Sequence, residues 1–593
     1  MGSKRVKGNT RIITDFLKMY WLKYVVGCIF LLLSAYVQAF NPKLLGIIID
    51  LLDSSTIDSQ FVIYNLVLLI VVAFLAFVTR YIWRYFIIGN ARNLECYLRQ
   101  RLFKHFQSLP VQFYNNKKTG DLMAYAINDI SAVRMSFGPA LAMTVNGVCL
   151  SAISIISMVR SVNLSLTLVS LLPIPIIVIA MFKIGSLVQL RFKAVQENFA
   201  AISDRVQENI SGIRVIKSYV QEQQEVQNFD VLNERIKKSN IKMVRVSSFL
   251  SPMIQVCFGV SFMINLIYGS SLVRSGVISL GDFVAFNGYL TMIMMPIISI
   301  GRVINLTQKG IASYKRLKVI FQEETDITDE QADKSLKTIA EDIEIKALSF
   351  KYPNCEEYAL HNIDITLTQG KTLGIIGKTG SGKTTLVNLL LRLYKLEEGS
   401  IQVGGRKIEE YPLEVLRKCI GYVPQDNFLF SANIKENISF FEDIYTDEEI
   451  ENATKLSCVY DNIKAFPKDF DTVIGDRGVN LSGGQKQRIS IARAIIKEPR
   501  LLILDDALSA VDTKTEEEII NNFIDILKDK MGIIIAHRIS AVKHADEIVV
   551  LEHGQIIERG KHEELLAKMG SYYGIYQEQF KEETRRRMGD EAK

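Results

Sequence analysis

Six long stretches of apolar residues constrain this chain's fold more than any other feature of its sequence. A helix that crosses a bilayer needs about 20 mostly apolar residues, and it must be helical because lipid offers the backbone no hydrogen-bond partners. We therefore predict six membrane-spanning helices, over Tyr24–Ile49, Val62–Ile88, Pro139–Met158, Leu164–Ile184, Phe249–Val273 and Phe283–Leu306.

The charges between these stretches predict the orientation of the spans. The first stretch is preceded by basic residues, namely Lys4, Arg5, Lys7, Arg11 and Lys18. The next connection carries only Asp53 and Asp58, whereas residues 91–135 and 186–245 are again rich in Lys and Arg. Because cytoplasmic flanks are enriched in basic residues, we expect both termini in the cytoplasm.

The two basic connections have helical periodicity. In RNLECYLRQRLFKHFQSL, which starts at Arg92, apolar residues recur at spacings of three and four. We therefore predict that the spans continue as long helices into the cytoplasm, in preference to a separate soluble insertion. Residues 11–22 show similar periodicity, which predicts an interfacial helix at the cytoplasmic surface.

Composition changes near residue 306, where the long apolar stretches end. A charged segment follows, and the strand-like IEIKALSFKY then begins a mixed, soluble composition. We predict an N-terminal segment with its interfacial helix, a six-helix transmembrane domain with cytoplasmic coupling loops, a linker and an α/β domain, over residues 1–22, 23–306, 307–341 and 342–593.

Charge and cysteine content exclude two other classes of protein. The formal net charge is +6, but the basic residues lack the interleaved aromatic side chains of a nucleic-acid surface. The seven cysteines are scattered without a CxxC pair, so we expect free thiols and neither a disulfide framework nor a metal site.

The strongest local motif is the glycine-rich run GKTGSGKT, the Walker A motif, from Gly377 to Thr384. It follows the apolar strand TLGII and precedes a helical pattern, the setting in which backbone N–H groups at a helix N-terminus bind phosphates. We expect Lys383 to reach the β- and γ-phosphates and the Thr384 hydroxyl to bind Mg²⁺. This predicts an α/β P-loop ATPase domain that binds ATP and Mg²⁺, with nucleotide contacts from Gly377, Thr379, Gly380, Ser381, Gly382, Lys383, Thr384 and Thr385.

Two further segments bear on phosphate chemistry. Residues 501–504, LLIL, end in Asp505, and a buried parallel strand that ends in a carboxylate delivers a Mg²⁺-directing acid to the edge of a sheet. Residues 481–485, LSGGQ, precede a helix, and glycine-rich turns before helices are anion sites. Since the Walker A loop already binds the phosphates of a nucleotide held by this chain, we expect LSGGQ to bind a second phosphate group.

Together these motifs resemble the ATPase domain of ABC transporters. The matching elements, in order and spacing, are Walker A, Gln425 in YVPQD, LSGGQ, Asp505, SAVD at Ser509–Asp512 and His537 in IIAHR. Six spans fused to one such domain resemble an ABC half-exporter over essentially the whole chain. In that family two ATPase domains pair head to tail, and each ATP lies between one domain's Walker A loop and the partner's LSGGQ.

The resemblance implies roles for individual residues. A nucleotide held mainly by a second subunit would be contacted by the signature residues Leu481, Ser482, Gly483, Gly484 and Gln485, and Ser509 and Asp512 mark the D-loop. Tyr352 would stack on adenine, Gln425 would join Thr384 and Asp505 around Mg²⁺, and His537 would contact the γ-phosphate. From chemistry alone, Tyr352 could equally be a turn aromatic and His537 a core histidine.

One position departs from the family pattern. After Asp505 the family usually has Glu, which orients or deprotonates the attacking water, and this chain has Asp506. A carboxylate one methylene shorter is misplaced by about 1 Å, which can cost about 100-fold in rate. We expect a hydrolytically weak site, as in one subunit of heterodimeric bacterial multidrug ABC exporters; a tolerated conservative exchange is the alternative. Asp476-Arg477-Gly478 likewise replaces the usual Glu-Arg-Gly.

The predicted function is export of amphipathic drugs, dyes or lipids across a bacterial cell membrane, by an integral membrane protein paired with a second, different half-transporter. An active homodimer and an ATP-gated channel or sensor are the alternatives. Aromatic and Met residues of the sixth span, among them Phe286 and Tyr289, are candidates for a substrate cavity, although such residues also pack against helices or lipid.

Overall fold

The computed structural model describes residues 12–54, 59–339, 342–353, 355–475, 478 and 480–591, with side chains as far as Lys581. Several residues used in the sequence interpretation lie outside these ranges: Lys4, Arg5, Lys7, Arg11, Asp58, Asp476 and Arg477. The chain divides into two compact units. We call residues up to 109 together with 117–324 the helical unit, and residues 110–116 together with 325–593 the sheet unit.

Over the residues described, six segments of the helical unit are long and apolar enough to cross a membrane, which confirms the six predicted apolar helices. They are between 42 and 53 residues long, because the helices continue past their apolar windows as predicted. The helices are α1 Ile12–Asp53, α2 Ser59–Ser108, α3 Val111–Asn115, α4 Thr119–Ala124, α5 Ile130–Met135, α6 Leu141–Ser161, α7 Leu164–Leu171, α8 Pro173–Ser211, α9 Ile213–Ser218, α10 Glu222–Ser247, α11 Leu250–Ile264, α12 Ser270–Arg274 and α13 Leu280–Gln322.

Several spans are composite. Single π-turns join neighbouring helices at Tyr125–Asp129, Ser136–Ala140 and Asn265–Gly269. The fourth span breaks at Leu172, and α8 restarts with Pro173 in its first turn, where the missing N–H of proline removes no helical bond. A π-turn changes the hydrogen-bond pattern without changing the apolar composition, so the periodicity of the sequence does not show where these turns lie.

The first and last helices differ from the predicted boundaries. Residues 12–22 are the first turns of α1 and form no separate interfacial helix. Helix packing buries Ile12, Ile13 and Phe16, with the Phe16 ring 5.4 Å from that of Tyr97 on α2, whereas Met19, Trp21 and Leu22 are exposed. The predicted linker is half helical, because α13 continues to Gln322.

The interior of the helical unit contains specific polar pairs. Asn265, in a π-turn, donates to Asn287 of α13 at 2.8 Å. Asp129 accepts hydrogen bonds from Ser313 at 2.8 Å and from Arg316, both on α13. The candidate cavity residues Phe286 and Tyr289 are fully buried in the apolar core of this unit, so they pack between helices.

Among the residues described, the sheet unit contains two sheets and, besides α3, ten α-helices. Its helices are α14 Lys383–Leu390, α15 Leu413–Lys418, α16 Ile434–Ser439, α17 Asp447–Leu456, α18 Tyr460–Lys464, α19 Gly483–Ile495, α20 Thr513–Ile526, α21 Ile539–Val542, α22 His562–Lys568 and α23 Ser571–Glu591. Its strands are β1 Ile343–Phe350, β2 Leu360–Leu367, β3 Thr372–Gly377, β4 Glu398–Val403, β5 Arg406–Lys407, β6 Ile420–Val423, β7 Leu501–Asp505, β8 Met531–Ala536, β9 Glu547–Glu552 and β10 Gln555–Gly560.

The larger sheet positions the chemistry. Its order is β10-β9-β3-β8-β7-β6, and all neighbouring pairs except β10–β9 are parallel. The smaller sheet, β2-β1-β4-β5, is antiparallel. Because β3, β8 and β7 are adjacent and parallel, the residues that follow their carboxyl ends lie at one edge of the sheet. These residues are the Walker A loop, His537 and Asp506.

Candidate nucleotide site

The Walker A loop connects β3, which ends at Gly377, to α14, which begins at Lys383. Gly380 and Gly382 have φ values of +83° and +99°, which L side chains rarely adopt. A Cβ on Gly382 would also lie 2.8 Å from the side chain of Leu360. The loop thus requires glycine, and it leads into a helix whose first N–H groups have no intrahelical acceptor and suit phosphate oxygens.

Lys383 lies across this loop. Its Nζ donates to the carbonyl oxygens of Gly377 at 2.8 Å and Lys378 at 2.9 Å. Burial lowers the pKa of the amine, while the nearby carboxylates of Asp505 and Asp506 act in the opposite direction. The charged amine is therefore held inside the loop by carbonyls that a phosphate can replace.

Asp505 ends β7 and is 2% exposed. Its Oδ2 has no hydrogen-bond partner among the described residues. Burial raises the pKa of its carboxyl group, whereas the Thr384 hydroxyl acts to lower it. Asp506 adds to the rise in pKa, and Lys383 and His537 oppose it. A buried, unsatisfied carboxylate oxygen beside a hydroxyl is the hard oxygen set that Mg²⁺ prefers, so the residues present fit this ion.

Asp506 has an unusual and tightly held backbone. Its φ is +50°, a left-handed conformation that Asp tolerates better than most residues. Its N–H donates to the Ile535 carbonyl at 2.9 Å, and its carbonyl accepts from the Ser509 hydroxyl at 3.1 Å. The backbone at this position is therefore fixed from both sides.

The other predicted nucleotide residues are less enclosed. The Tyr352 hydroxyl lies 3.0 Å from that of Thr385, and its ring meets those of Phe350 and Tyr394 edge to face. Gln425 is exposed, in the connection after β6, and His537 is half-buried in the connection after β8.

The LSGGQ segment forms the N-terminus of α19. Ser482 is the N-cap, its hydroxyl accepting from the Gln485 N–H at 3.2 Å, and the Gln485 side chain accepts from the Ser482 N–H at 3.0 Å. A Cβ on Gly484 would lie 2.9 Å from the Ala510 carbonyl oxygen, so the small residue lets the D-loop approach. Within the described residues, no hydrogen bond or ion pair joins this segment to the Walker A loop.

Buried Gln487 joins α19 to the D-loop. It accepts from the Ala510 N–H at 2.9 Å and donates to the Ser509 hydroxyl at 3.1 Å. Sequence reasoning missed this residue, although its place two positions after LSGGQ marked it as part of the same helix turn.

A second missed residue is Tyr394, in the segment after α14. Its hydroxyl accepts from the Asn115 side chain at 2.9 Å, and α3, which carries Asn115, is grouped with the sheet unit. In the sequence, nothing distinguishes Tyr394 from other tyrosines, so its hydrogen bond could not be predicted.

Taken together, the fold and the site define a P-loop nucleotide-binding unit on one chain with six apolar spans. The chain matches the family description "ABC transporter transmembrane region" over residues 24–297 and "ABC transporter" over residues 360–509.

Known proteins agree with these matches. The chain is 40% identical to the Bacillus subtilis "Probable multidrug resistance ABC transporter ATP-binding/permease protein YheI", over 95% of this chain and 96% of that protein. It is 33% identical to the Escherichia coli "Multidrug resistance-like ATP-binding protein MdlA", over 95% of each chain. A solved structure of a bacterial Atm1-family ABC exporter with ATP bound shares the fold, with a TM-score of 0.77 and 23% identity over 94% of this chain and 99% of that one.

The chain therefore belongs to the ABC transporter family. It is an ABC exporter with fused transmembrane and ATPase domains, an ATP-binding integral membrane protein similar to multidrug exporters.

Proposed function

We propose that this chain pairs with a different half-transporter, and that its own Walker A site binds ATP and Mg²⁺ but hydrolyses ATP slowly. Its LSGGQ segment then completes the site on the partner, where most turnover occurs. The single observation that carries this proposal is Asp506 at the position after the buried Asp505.

The geometry of Asp506 supports a lasting deficit in hydrolysis. A carboxylate one methylene shorter lies about 1 Å from the position that would orient the attacking water, and such a misplacement can lower the rate of hydrolysis about 100-fold. A backbone shift could recover this distance, but the bonds to Ile535 and Ser509 fix the backbone on both sides. The left-handed φ also favours Asp over Glu at this position.

The residues around Asp505 support the binding half of the proposal. Thr384, Asp505 and Gln425 would hold Mg²⁺, which when bound neutralises charge on the phosphate oxygens. Lys383 would exchange its two carbonyl partners for the β- and γ-phosphates. His537 would contact the γ-phosphate, and the half-buried Tyr352 would support the adenine.

The capped N-terminus of α19 supports a role toward a second nucleotide. Ser482 and Gln485 pair with each other, which fixes the turn and leaves the N–H groups of Gly483 and Gly484 at the helix start. The D-loop is bonded to this helix through Gln487, so both elements would meet the partner's site together.

The proposed cargo is an amphipathic drug, dye or lipid, moved out of the cytoplasm or inner leaflet of a bacterial cell membrane by alternating access. The relatives support this class: two carry multidrug resistance in their names, and a third, 33% identical over 84% of this chain, is called "ATP-dependent lipid A-core flippase" from Syntrophus aciditrophicus. The basic connections support cytoplasmic termini and a cytoplasmic ATPase domain.

The test is the ATPase activity of the purified chain in lipid nanodiscs, with and without a candidate partner encoded beside it. Asp506→Glu is expected to raise the activity of the chain alone by about 10- to 100-fold, because it restores the missing reach. Asp506→Asn, which has the same shape without the charge, is the matched control and is expected to give no rise. A wild-type chain that alone equals Asp506→Glu would contradict the weak-site proposal.

An active homodimer is the second candidate, because one chain carries both a carboxylate at 506 and a capped LSGGQ segment. It predicts full ATPase activity and uphill dye transport into inside-out vesicles without any partner. A channel or sensor would instead show conductance or signalling without uphill transport, which the same vesicles distinguish.

A further inference from the structure

The connection between β8 and α21, which carries His537, is bonded to the C-terminal helix. Gln579 of α23 donates from Nε2 to the His537 carbonyl at 2.7 Å and accepts at Oε1 from the Ile539 N–H at 3.0 Å. The partners fix the orientation of the amide, since a carbonyl requires the NH₂ group and an N–H requires the oxygen. One side chain therefore holds the backbone on both sides of Arg538.

The position of Gln579 is itself determined by anchors at the start of α23. Tyr572 is fully buried in the core beneath the larger sheet, and its hydroxyl lies 2.7 Å from His562 Nδ1. Glu558 accepts the first N–H groups of the helix, from Ser571 and Tyr572. Gln579 follows Tyr572 by seven residues, which places both on the same face of the helix.

The opposite side of the same connection is held by a buried carboxylate. Glu516 of α20 is 2% exposed and accepts from Arg538 at 3.0 Å and from the Ser540 hydroxyl at 2.7 Å. His537 follows β8 at the sheet edge where Asp505 ends the neighbouring strand β7, with Asp505 paired to Ile535 of β8. The ring's direction thus depends on a backbone that side chains from two helices hold in place.

We infer that Gln579 is a positioning residue that holds His537 toward the γ-phosphate, so that the C-terminal helix sets the preference of this site for ATP over ADP. The inference rests on the proposed role of His537. Since ADP has no γ-phosphate, loss of the Gln579 bonds should weaken ATP binding and leave ADP binding unchanged.

The test measures dissociation constants of ATP and ADP separately, by competition with a fluorescent ADP analogue, on the full chain in nanodiscs with Mg²⁺. Gln579→Met keeps the length of the side chain and removes both hydrogen bonds. Gln577→Met is the matched control, because exposed Gln577 lies on the same helix and its side chain bonds, among the residues the structure describes, only to Tyr573, at 2.6 Å. Gln579→Glu keeps the acceptor for Ile539 and removes the donor to His537, so it tests the same bond if the Met variant does not fold.

We expect Gln579→Met and Gln579→Glu to weaken ATP binding by about 3- to 10-fold, the worth of one or two hydrogen bonds, with ADP binding unchanged. His537→Ala should weaken ATP binding at least as much. The double variant with Gln579→Met should match His537→Ala, because a positioning residue has no effect once the residue it positions is gone.

Three results would overturn the inference: equal losses for ATP and ADP, unchanged affinities in both Gln579 variants, or additive losses in the double variant. These results are distinguishable from failure of the proposed function. If His537→Ala leaves the ATP-to-ADP ratio unchanged, the proposed γ-phosphate contact is wrong and the inference falls with it. If His537→Ala changes the ratio and Gln579→Met does not, only the inference falls.

Discussion

Gln487 offers a quantitative test of how the signature helix is joined to the D-loop. The side chain is 4% exposed, accepts from the Ala510 N–H and donates to the Ser509 hydroxyl. Gln487→Leu keeps much of the volume but removes these two bonds and a weaker one at 3.5 Å to the Asp506 carbonyl, and it leaves the Ala510 N–H without its acceptor.

The expected magnitude follows from these contacts. A buried donor left unsatisfied costs about 1–3 kcal/mol, and the second hydrogen bond contributes about 1 kcal/mol. Allowing for partial relaxation, local opening of the D-loop should become easier by about 2–3 kcal/mol, which is about 30- to 150-fold in the opening equilibrium.

Hydrogen–deuterium exchange of the peptide that covers residues 506–512 measures this opening. We expect the Ala510 amide of Gln487→Leu to exchange faster by that factor. Ser490→Ala is the control on the same helix, because the buried Ser490 hydroxyl has no hydrogen-bond partner among the described residues. Exchange within about threefold of the wild type in Gln487→Leu would refute the calculation, since that corresponds to under 1 kcal/mol.

Three further variants test other polar groups. Asp505→Asn should raise the thermal stability of the nucleotide-free chain at neutral pH and abolish its stabilisation by Mg²⁺-ATP. Burial raises the pKa of Asp505 in the folded state, so the folded chain loses stability as the pH rises from the unfolded-state pKa through the folded-state pKa. The amide of Asn does not titrate, so the variant does not lose this stability. A less stable variant, or one still stabilised by Mg²⁺-ATP, would contradict this. Asp129→Ala should lower the free energy of unfolding by about 1–2 kcal/mol, measured by thermal scanning; the value is small because Arg316 is half exposed. An unchanged melting temperature would contradict the contact. Asp50 accepts hydrogen bonds from the Ser279 hydroxyl at 2.7 Å and from the Gly281 N–H at 2.6 Å, which joins α1 to the start of α13. Asp50→Ala should therefore lower the free energy of unfolding by about 2 kcal/mol in the same assay. An unchanged stability would mean that the carboxylate does not hold the two helices together.

Local patterns in the sequence were enough to predict the elements that lipid or phosphate imposes. Six spans were predictable because a backbone in lipid must form a helix to satisfy its own hydrogen bonds, and each such helix appears in the sequence as a long apolar stretch. The Walker A loop was predictable because Gly380 and Gly382 adopt a backbone that few other residues tolerate.

Other features of the structure were not visible in any short stretch of the sequence. The π-turn at Asn265–Gly269 leaves the apolar composition unchanged, and the sequence pattern did not show that residues 12–22 are continuous with the rest of α1, where Phe16 packs against Tyr97. A helical pattern in the sequence gives the face that is apolar, but not the helix against which that face packs.

What the sequence determined by itself was therefore the set of residues in the candidate site: the Walker A loop, the carboxylate Asp505 and the short Asp506 beside it. Only the tertiary structure decided which distant residues hold that set in place. Gln579 reaches the backbone of His537 across 42 positions, and Gln487 reaches Ser509 across 22. Such pairs arise from the order of strands in the sheet and the rotation of helices above it, which no short stretch of sequence specifies.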